Sequence, residues 1–256
     1  MLNYLPFYYH FDWTYVVLVL PCLILSMWAS ARVNSTFQKY SGQISVRRIT
    51  GAQAAQKVLS QNGVSGVRIE RVSGNLTDHY DPKTNVIRLS ENVYDNPSTA
   101  AIGVACHEAG HAVQYANNYF PIKIRSAIIP ITNFGSKLAM PLILIGILFS
   151  AFGSFSNTIV YIGIACFALS LVFQLVTLPV EFNASRRAIE SIEHGNILTD
   201  EEQKGAKKTL SAAAMTYVAA TAVALAQLIR LISIFGNNTL KKQGWCLFCL
   251  LSTPLP

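Results

Sequence analysis

The residues best suited to chemistry stand in one short run, His107-Glu108-Ala109-Gly110-His111. In an α-helix, two histidines four positions apart lie about 40° apart on one face, so both rings can bind the same Zn²⁺. Glu108 then lies beside the metal and can take a proton from water. The alternative is a helix whose histidines fill a polar pocket, but unpaired polar groups are costly to bury in so apolar a helix. The spacing therefore predicts His107 and His111 as zinc ligands and Glu108 as general base.

A catalytic zinc site needs a third protein ligand and keeps one position open for water. His79, His194 and an acid are the candidates. Glu181 is favoured because it is the first charged residue after the uncharged run 138–180, at the end of a predicted membrane span. The alternative is an interfacial carboxylate that pairs with Arg186 or Arg187. Glu181 is the predicted third ligand.

Local sequence signals predict the elements that position these residues. The apolar run from Ala100 to Ala116 indicates a helix, capped by Asp95 or Asn96 with Pro97 in its first turn. A capping box at Thr50 begins an earlier helix that ends near residue 61. Two strands, near 67–69 and 86–89, form a hairpin-like pair around the turn at 81–85. The result is a small α+β unit.

Composition limits the class of protein. Hydrophobic residues make up 52% of the 256 residues and charged residues 13%, about half the charged share of soluble domains. These values exclude a disordered chain and disfavour an ordinary soluble enzyme. The net charge of +7 would suit nucleic acid, but the apolar content indicates a membrane protein with basic cytoplasmic loops. The lipid bilayer, and not nucleic acid, is the expected partner.

Four apolar runs are long enough to cross a bilayer, which takes about 20 residues in a helix. The second and third share one uncharged stretch that divides at the small and polar residues 153–157. Arg230 interrupts the last run near its end, where a long side chain can extend toward lipid headgroups. The predicted spans are residues 13–31, 138–153, 158–179 and 211–235.

The distribution of Lys and Arg predicts the topology. Residues 32–137 carry twelve of these cations and 181–210 carry five, whereas 1–12 and 153–157 carry none. The positive-inside rule therefore places both long segments in the cytoplasm and the N-terminus outside the bacterial cell membrane. The predicted segments are an anchor at 1–31, a catalytic segment at 32–137, a membrane hairpin at 138–180, a third-ligand segment at 181–210, a membrane helix at 211–236 and a tail at 237–256.

Three motifs together resemble the YugP-type bacterial membrane zinc metallopeptidases, over roughly residues 10–238. They are Ala105-Cys106-His107-Glu108-Ala109-Gly110-His111-Ala112, Leu76-Thr77-Asp78-His79-Tyr80-Asp81-Pro82 and Leu178-Pro179-Val180-Glu181-Phe182-Asn183-Ala184-Ser185-Arg186-Arg187. The resemblance implies the roles already given to His107, His111 and Glu108. A more distant likeness to the HtpX and CAAX-prenyl-protease group implies that Glu181 is the third ligand. Ser185 stands where that group has an Asp, one turn later, and can hydrogen-bond near a ligand.

The expected fold is a membrane α-helical protein with about four transmembrane helices and a small zincin-like α+β domain in the cytoplasm. The expected activity is that of a zinc metalloendopeptidase with one zinc ion and a membrane-associated peptide or protein substrate. The strand near residues 85–90 could bind an extended peptide by its edge, and His79 or Arg186 could stabilise the oxyanion. The alternatives are a protease that cuts within the bilayer and a non-enzymatic metal-binding membrane protein.

Overall fold

The computed structural model describes residues 12–149 and 154–236. A turn of π-helix at Tyr15–Val19 continues into α1 (Leu20–Ser41). The remaining elements are α2 (Gly51–Gln61), β1 (Arg68–Val72), β2 (His79–Asp81), β3 (Val86–Ser90), α3 (Glu91–Tyr94), α4 (Thr99–Ala116), α5 (Phe120–Leu148), α6 (Ser154–His194) and α7 (Asp200–Gly236). The predicted tail at 237–256 and residue 153 of the predicted turn lie outside the described residues. Residues 154–157 form the first turn of α6, so the prediction of a turn there is wrong.

The chain divides into two compact units. One, here the mixed unit, comprises Met27–Ala127 and Leu175–Val218. The other, here the helical unit, comprises the described parts of Met1–Ser26, Ile128–Gln174 and Ala219–Pro256. All residues predicted to take part in chemistry belong to the mixed unit.

Four helices within the described residues are long and apolar enough to cross a membrane, which confirms the predicted number. They are Tyr15–Ser41, Phe120–Leu148, Ser154–His194 and Asp200–Gly236. Each is longer than the apolar run that predicted it, because the backbone hydrogen bonds of a helix continue past the last apolar side chain. As a result α6 carries Glu181 on the same continuous helix as the third predicted span.

Inside the helical unit, Arg230 does not extend outward as expected. Its side chain is 1% exposed and donates from Nη2 to Oδ2 of Asp12 at 2.7 Å. The guanidinium also lies over the Tyr15 ring, 5.2 Å from its centroid. A buried cation needs such partners, because an unpaired charge is far more costly in an apolar environment than a paired one.

The small sheet of the mixed unit has the order β1-β3-β2. β2 and β3 are antiparallel across the turn at 82–85, whereas β1 runs parallel to β3. The predicted hairpin between the first and last strands is therefore wrong. β3 is the central strand with partners on both sides, so the expectation that its edge binds a peptide is also wrong.

Helix caps in the mixed unit agree only in part with the prediction. The capping box of α2 is confirmed, since Thr50 and Gln53 each bond the other's backbone N–H. The predicted caps of α4 are wrong, because Ser98 is the N-cap and its hydroxyl accepts from the N–H of Ala101 at 3.3 Å. Asn96 instead accepts from the N–H of Ser98 and shapes the approach to the helix.

The core of the mixed unit surrounds α4, the helix that carries the His-Glu-x-x-His motif. Apolar side chains from α2, β3, α6 and α7 pack on it, among them Leu59, Ile87, Ile192 and Leu210. The backbones of α4 and α6 come close together at Gly110, since a Cβ there would lie 2.7 Å from the carbonyl oxygen of Ala184 in α6. The missing side chain lets the two helix backbones touch.

We expect Gly110→Ala to destabilise the mixed unit. Overpacking costs about 1–3 kcal/mol, more than the gain of about 1 kcal/mol that alanine brings within a helix. Gly103→Ala is the matched control, because its added Cβ would meet Ala206 at an ordinary 3.4 Å. Chemical unfolding in detergent should show a lower unfolding free energy for Gly110→Ala alone. Equal stability of the two variants would contradict the close contact.

Candidate metal centre

Three side chains from two helices converge in the mixed unit. Nε2 of His107 lies 3.2 Å from Oε2 of Glu181, and Nε2 of His111 lies 3.5 Å from the same oxygen. One ligand atom from each of the three residues lies within 4.8 Å of the others. The structure thus brings together the two histidines of α4 and the acid of α6 that the sequence singled out.

The spacing of these donors suits a single zinc ion. Tetrahedral zinc with bonds of about 2.0–2.1 Å has ligand atoms about 3.3 Å apart, close to the two distances measured here. Two imidazole nitrogens and one carboxylate oxygen are also a common zinc donor set that leaves a fourth position open. The residues present therefore fit the metal.

Glu181 has a different partner for each carboxylate oxygen. Oε2 faces the two histidines, whereas Oε1 lies 3.2 Å from Nη1 of Arg125. The carboxylate is almost fully buried, with 3% of the residue exposed, and the guanidinium offsets the cost of burying its charge. The Tyr217 hydroxyl donates a further hydrogen bond to Glu181. With Oε1 held by Arg125, one oxygen is left for a metal.

Glu108 lies next to the cluster and is 8% exposed. Burial raises the pKa of its carboxyl to about 7, an effect that the His107 ring opposes and the charge of Glu181 reinforces. The structure thus provides a carboxyl that titrates near neutrality beside the three converging donors.

His79 and Asp78 act electrostatically on Glu108 from the loop and strand that precede β3. Asp78 anchors this segment by accepting from the backbone N–H of Ser90 at 2.7 Å and from its hydroxyl at 3.0 Å. Nδ1 of His79 lies 2.7 Å from the carbonyl oxygen of Thr77. Because a carbonyl only accepts, Nδ1 carries a proton. In the neutral form of the ring, Nε2 is then the unprotonated nitrogen.

The other predicted residues occupy different positions. Oγ of Ser185 lies 3.1 Å from Nδ1 of His107, one helical turn after Glu181. Arg186 is exposed and pairs with Glu190 at 3.7 Å. His194 is also exposed, and its Nδ1 bonds the carbonyl oxygen of Glu190. Only Ser185 of these three contacts a member of the cluster.

Sequence reasoning missed three residues at the site. Gln114 bonds His111, and Arg125 and Tyr217 bond Glu181. A signal existed for Gln114, because it is a polar residue three positions after His111 in an apolar helix, where an amide needs a specific partner. Nothing distinguishes Arg125 from the other basic residues of its segment, and Tyr217 reads as an ordinary residue of an apolar helix.

Comparison with known proteins agrees with this geometry. Residues 15–236 match the model of a family described as "Putative neutral zinc metallopeptidase". Over 224 residues the chain is 44% identical to "Putative membrane protease YugP" of Bacillus subtilis (strain 168), which covers 88% of this chain and 97% of that protein. No solved structure matches the chain.

The resemblance predicted from the three motifs is thus confirmed, and it extends over nearly the whole described chain. The matched region contains the four apolar helices and all three converging side chains. The chain belongs to the neutral zinc metallopeptidase family.

Proposed function

We propose that this protein is a membrane-integral zinc endopeptidase whose active site lies at the cytoplasmic face of a bacterial cell membrane. The observation that carries the proposal is the meeting of His107, His111 and Glu181 at zinc-ligand spacing, with Glu108 beside them. Membership of a zinc metallopeptidase family supports the same chemistry. One zinc ion accounts for all three donors.

In this mechanism His107, His111 and Glu181 hold the ion, and Arg125 keeps Glu181 to one ligating oxygen. When bound, zinc polarises the scissile carbonyl and lowers the pKa of water toward about 7. Glu108 takes a proton from the attacking water as the carbonyl carbon is attacked. It then gives that proton to the nitrogen of the leaving amine as the C–N bond breaks.

An extended substrate would pair with β2, one of the two strands that contact α4. β3 occupies one side of β2, and no strand among residues 12–149 and 154–236 pairs with its other side. Main-chain pairing at such an edge tolerates varied side chains. His79 lies on this strand and acts on Glu108, so we assign it to the developing oxyanion. Arg186, exposed and paired with Glu190, has no role in this scheme.

The membrane face follows from charge. Seventeen of the 20 basic residues lie in the two segments 32–137 and 181–210, which contain the three proposed zinc ligands, Glu108 and His79. Segments between membrane spans that are rich in Lys and Arg remain on the cytoplasmic side of the membrane. The helix that carries the histidines is not among the four apolar helices found in the described residues, an observation that favours cleavage beside the bilayer over cleavage within it.

Glu108→Gln should bind zinc as tightly as the wild type and lose peptide cleavage by about a hundred- to ten-thousand-fold, because the amide keeps the shape but cannot accept a proton. Metal analysis and cleavage of an unstructured protein in detergent would measure both properties. Glu91→Gln, an exposed acid of the same unit, is the control. Retained cleavage would contradict the role of Glu108. Wild type that binds zinc but cuts nothing would favour the non-enzymatic alternative.

Glu181→Gln should lower zinc affinity by more than about a hundredfold, since a neutral amide oxygen replaces a ligating carboxylate. Competition against a chromogenic chelator would measure the affinity. Glu190→Gln changes an exposed acid two and a half turns later on the same helix and should bind zinc normally. Unchanged affinity of Glu181→Gln would remove Glu181 from the metal site.

In sealed membrane vesicles, we expect protease to cut within residues 60–130 only when the cytoplasmic face is outward. Inverted vesicles should therefore lose this segment, and right-side-out vesicles should keep it. Immunoblotting against a tag inserted in the loop after β1 would follow the cleavage. Protection in both orientations would favour the intramembrane protease, and cutting only in right-side-out vesicles would reverse the topology.

A further inference from the structure

Gln114 is the most enclosed polar side chain near the metal centre. It is 0% exposed, and its amide makes three hydrogen bonds. Nε2 donates to the carbonyl oxygen of Val180 at 2.8 Å and to Oδ1 of Asn183 at 2.9 Å. Oε1 lies 3.0 Å from Nδ1 of His111. One residue of α4 thus bonds a neighbour on its own helix and two residues of α6.

The donor and acceptor in each of these hydrogen bonds can be assigned from Arg187, a cation outside the cluster of ligands. Nε of Arg187 donates to Oδ1 of Asn183 at 2.8 Å. A guanidinium only donates, so this atom of Asn183 must be the acceptor oxygen. The Val180 carbonyl likewise only accepts. Gln114 therefore presents its NH₂ group to both, and its oxygen is turned toward His111.

The orientation of Gln114 decides which nitrogen of His111 carries the proton. Oε1 can only accept, so Nδ1 of the neutral ring must donate, and Nε2 is left with its lone pair. Nε2 is the nitrogen that lies 3.5 Å from Glu181 Oε2. His107 differs, because its Nδ1 contacts the Ser185 hydroxyl, which can either donate or accept.

The same amide also aligns the two ligand-bearing helices. Val180 comes one residue before Glu181 and Asn183 two residues after it, so Gln114 bonds α6 on both sides of the acid. A shift of α6 along α4 would break both donated bonds and leave a buried amide unsatisfied, which is unfavourable because the amide would lose its partners without regaining water. The bonds that orient His111 thus also hold Glu181 in register with it.

We propose that Arg187, Asn183 and Gln114 form a positioning relay that presets His111 with a free Nε2 and holds Glu181 beside it before the metal binds. This inference rests on the proposed function only in taking zinc as the ion. Its three members act through His111 and α6 and are positioning residues. The relay explains why a fully buried amide stands on the face of α4 that carries His107 and His111.

Zinc affinity of the full-length protein in detergent, measured by chelator competition, tests the relay. Gln114→Leu keeps the volume and removes the hydrogen bonds, so affinity should fall about 10–100-fold. Val113→Ala, a packing change at the neighbouring buried position, should leave the affinity near that of wild type. Equal losses in both variants, or none in Gln114→Leu, would overturn the proposal.

Two neighbouring arginines at the far end of the relay provide a closely matched pair of variants. Arg187→Gln should weaken zinc binding in the same direction, although Arg187 is itself outside the cluster of ligands. Arg186→Gln changes the adjacent arginine, which is exposed and pairs with Glu190, and should bind zinc normally. If both variants bind zinc like wild type, Arg187 does not orient the amides of Asn183 and Gln114, and the relay is overturned.

The tautomer can be observed directly in the metal-free protein. Selective ¹⁵N labelling of the five histidines gives a simple NMR spectrum, in which His111→Asn identifies the signals of His111. The relay requires a protonated Nδ1 in wild type and a mixture of tautomers in Gln114→Leu. A protonated Nε2 in wild type would overturn it.

The failure of the relay and the failure of the proposed function can be told apart. Wild type that binds zinc but cuts no peptide would contradict the proposed function alone. Wild type without zinc affinity would contradict both.

Discussion

The backbone contact between α4 and α6 at Gly110 is the constraint on which the metal centre depends. Histidine and glutamate side chains are short, so two ligands on one helix and one on another can share an ion only if the helix axes approach closely. Gly110 has no Cβ in the space where one would lie 2.7 Å from the Ala184 carbonyl oxygen. It stands one residue before His111, and Ala184 stands three residues after Glu181, so this contact lies beside the ligand residues.

Burial of charge is the second consequence of this close approach. Glu108, His111 and Glu181 are each less than a tenth exposed, and such groups are stable only when paired, hydrogen-bonded or bound to a metal. Each of the three buried groups is accommodated in a different way. Arg125 and Tyr217 bond Glu181, Gln114 bonds His111, and burial raises the pKa of Glu108 to about 7. The site therefore depends on the polar groups that bond the buried donors as well as on the three donors themselves.

The errors in strand pairing and in the orientation of Arg230 share one cause. Strand pairing is a contact between distant residues, and alternation of apolar side chains identifies a strand without naming its partner. The sequence predicts β1 as half of a hairpin, but β1 pairs in parallel with β3, and the short β2 is the antiparallel partner of β3. The sequence likewise predicts that Arg230 extends outward, because its partner Asp12 lies 218 residues away in the chain.

The amino-acid sequence by itself determined the features that depend on local periodicity and composition. These are four apolar helices, a helix with His107 and His111 on one face, and a charged residue, Glu181, that stands out after a long uncharged run. Only the tertiary structure decided which residues complete the site. Arg125, Gln114 and Tyr217 resemble many other basic, polar and aromatic residues of the chain, and they matter because packing brings them to a buried carboxylate or imidazole. Packing depends on all the elements at once, which no short stretch of sequence encodes.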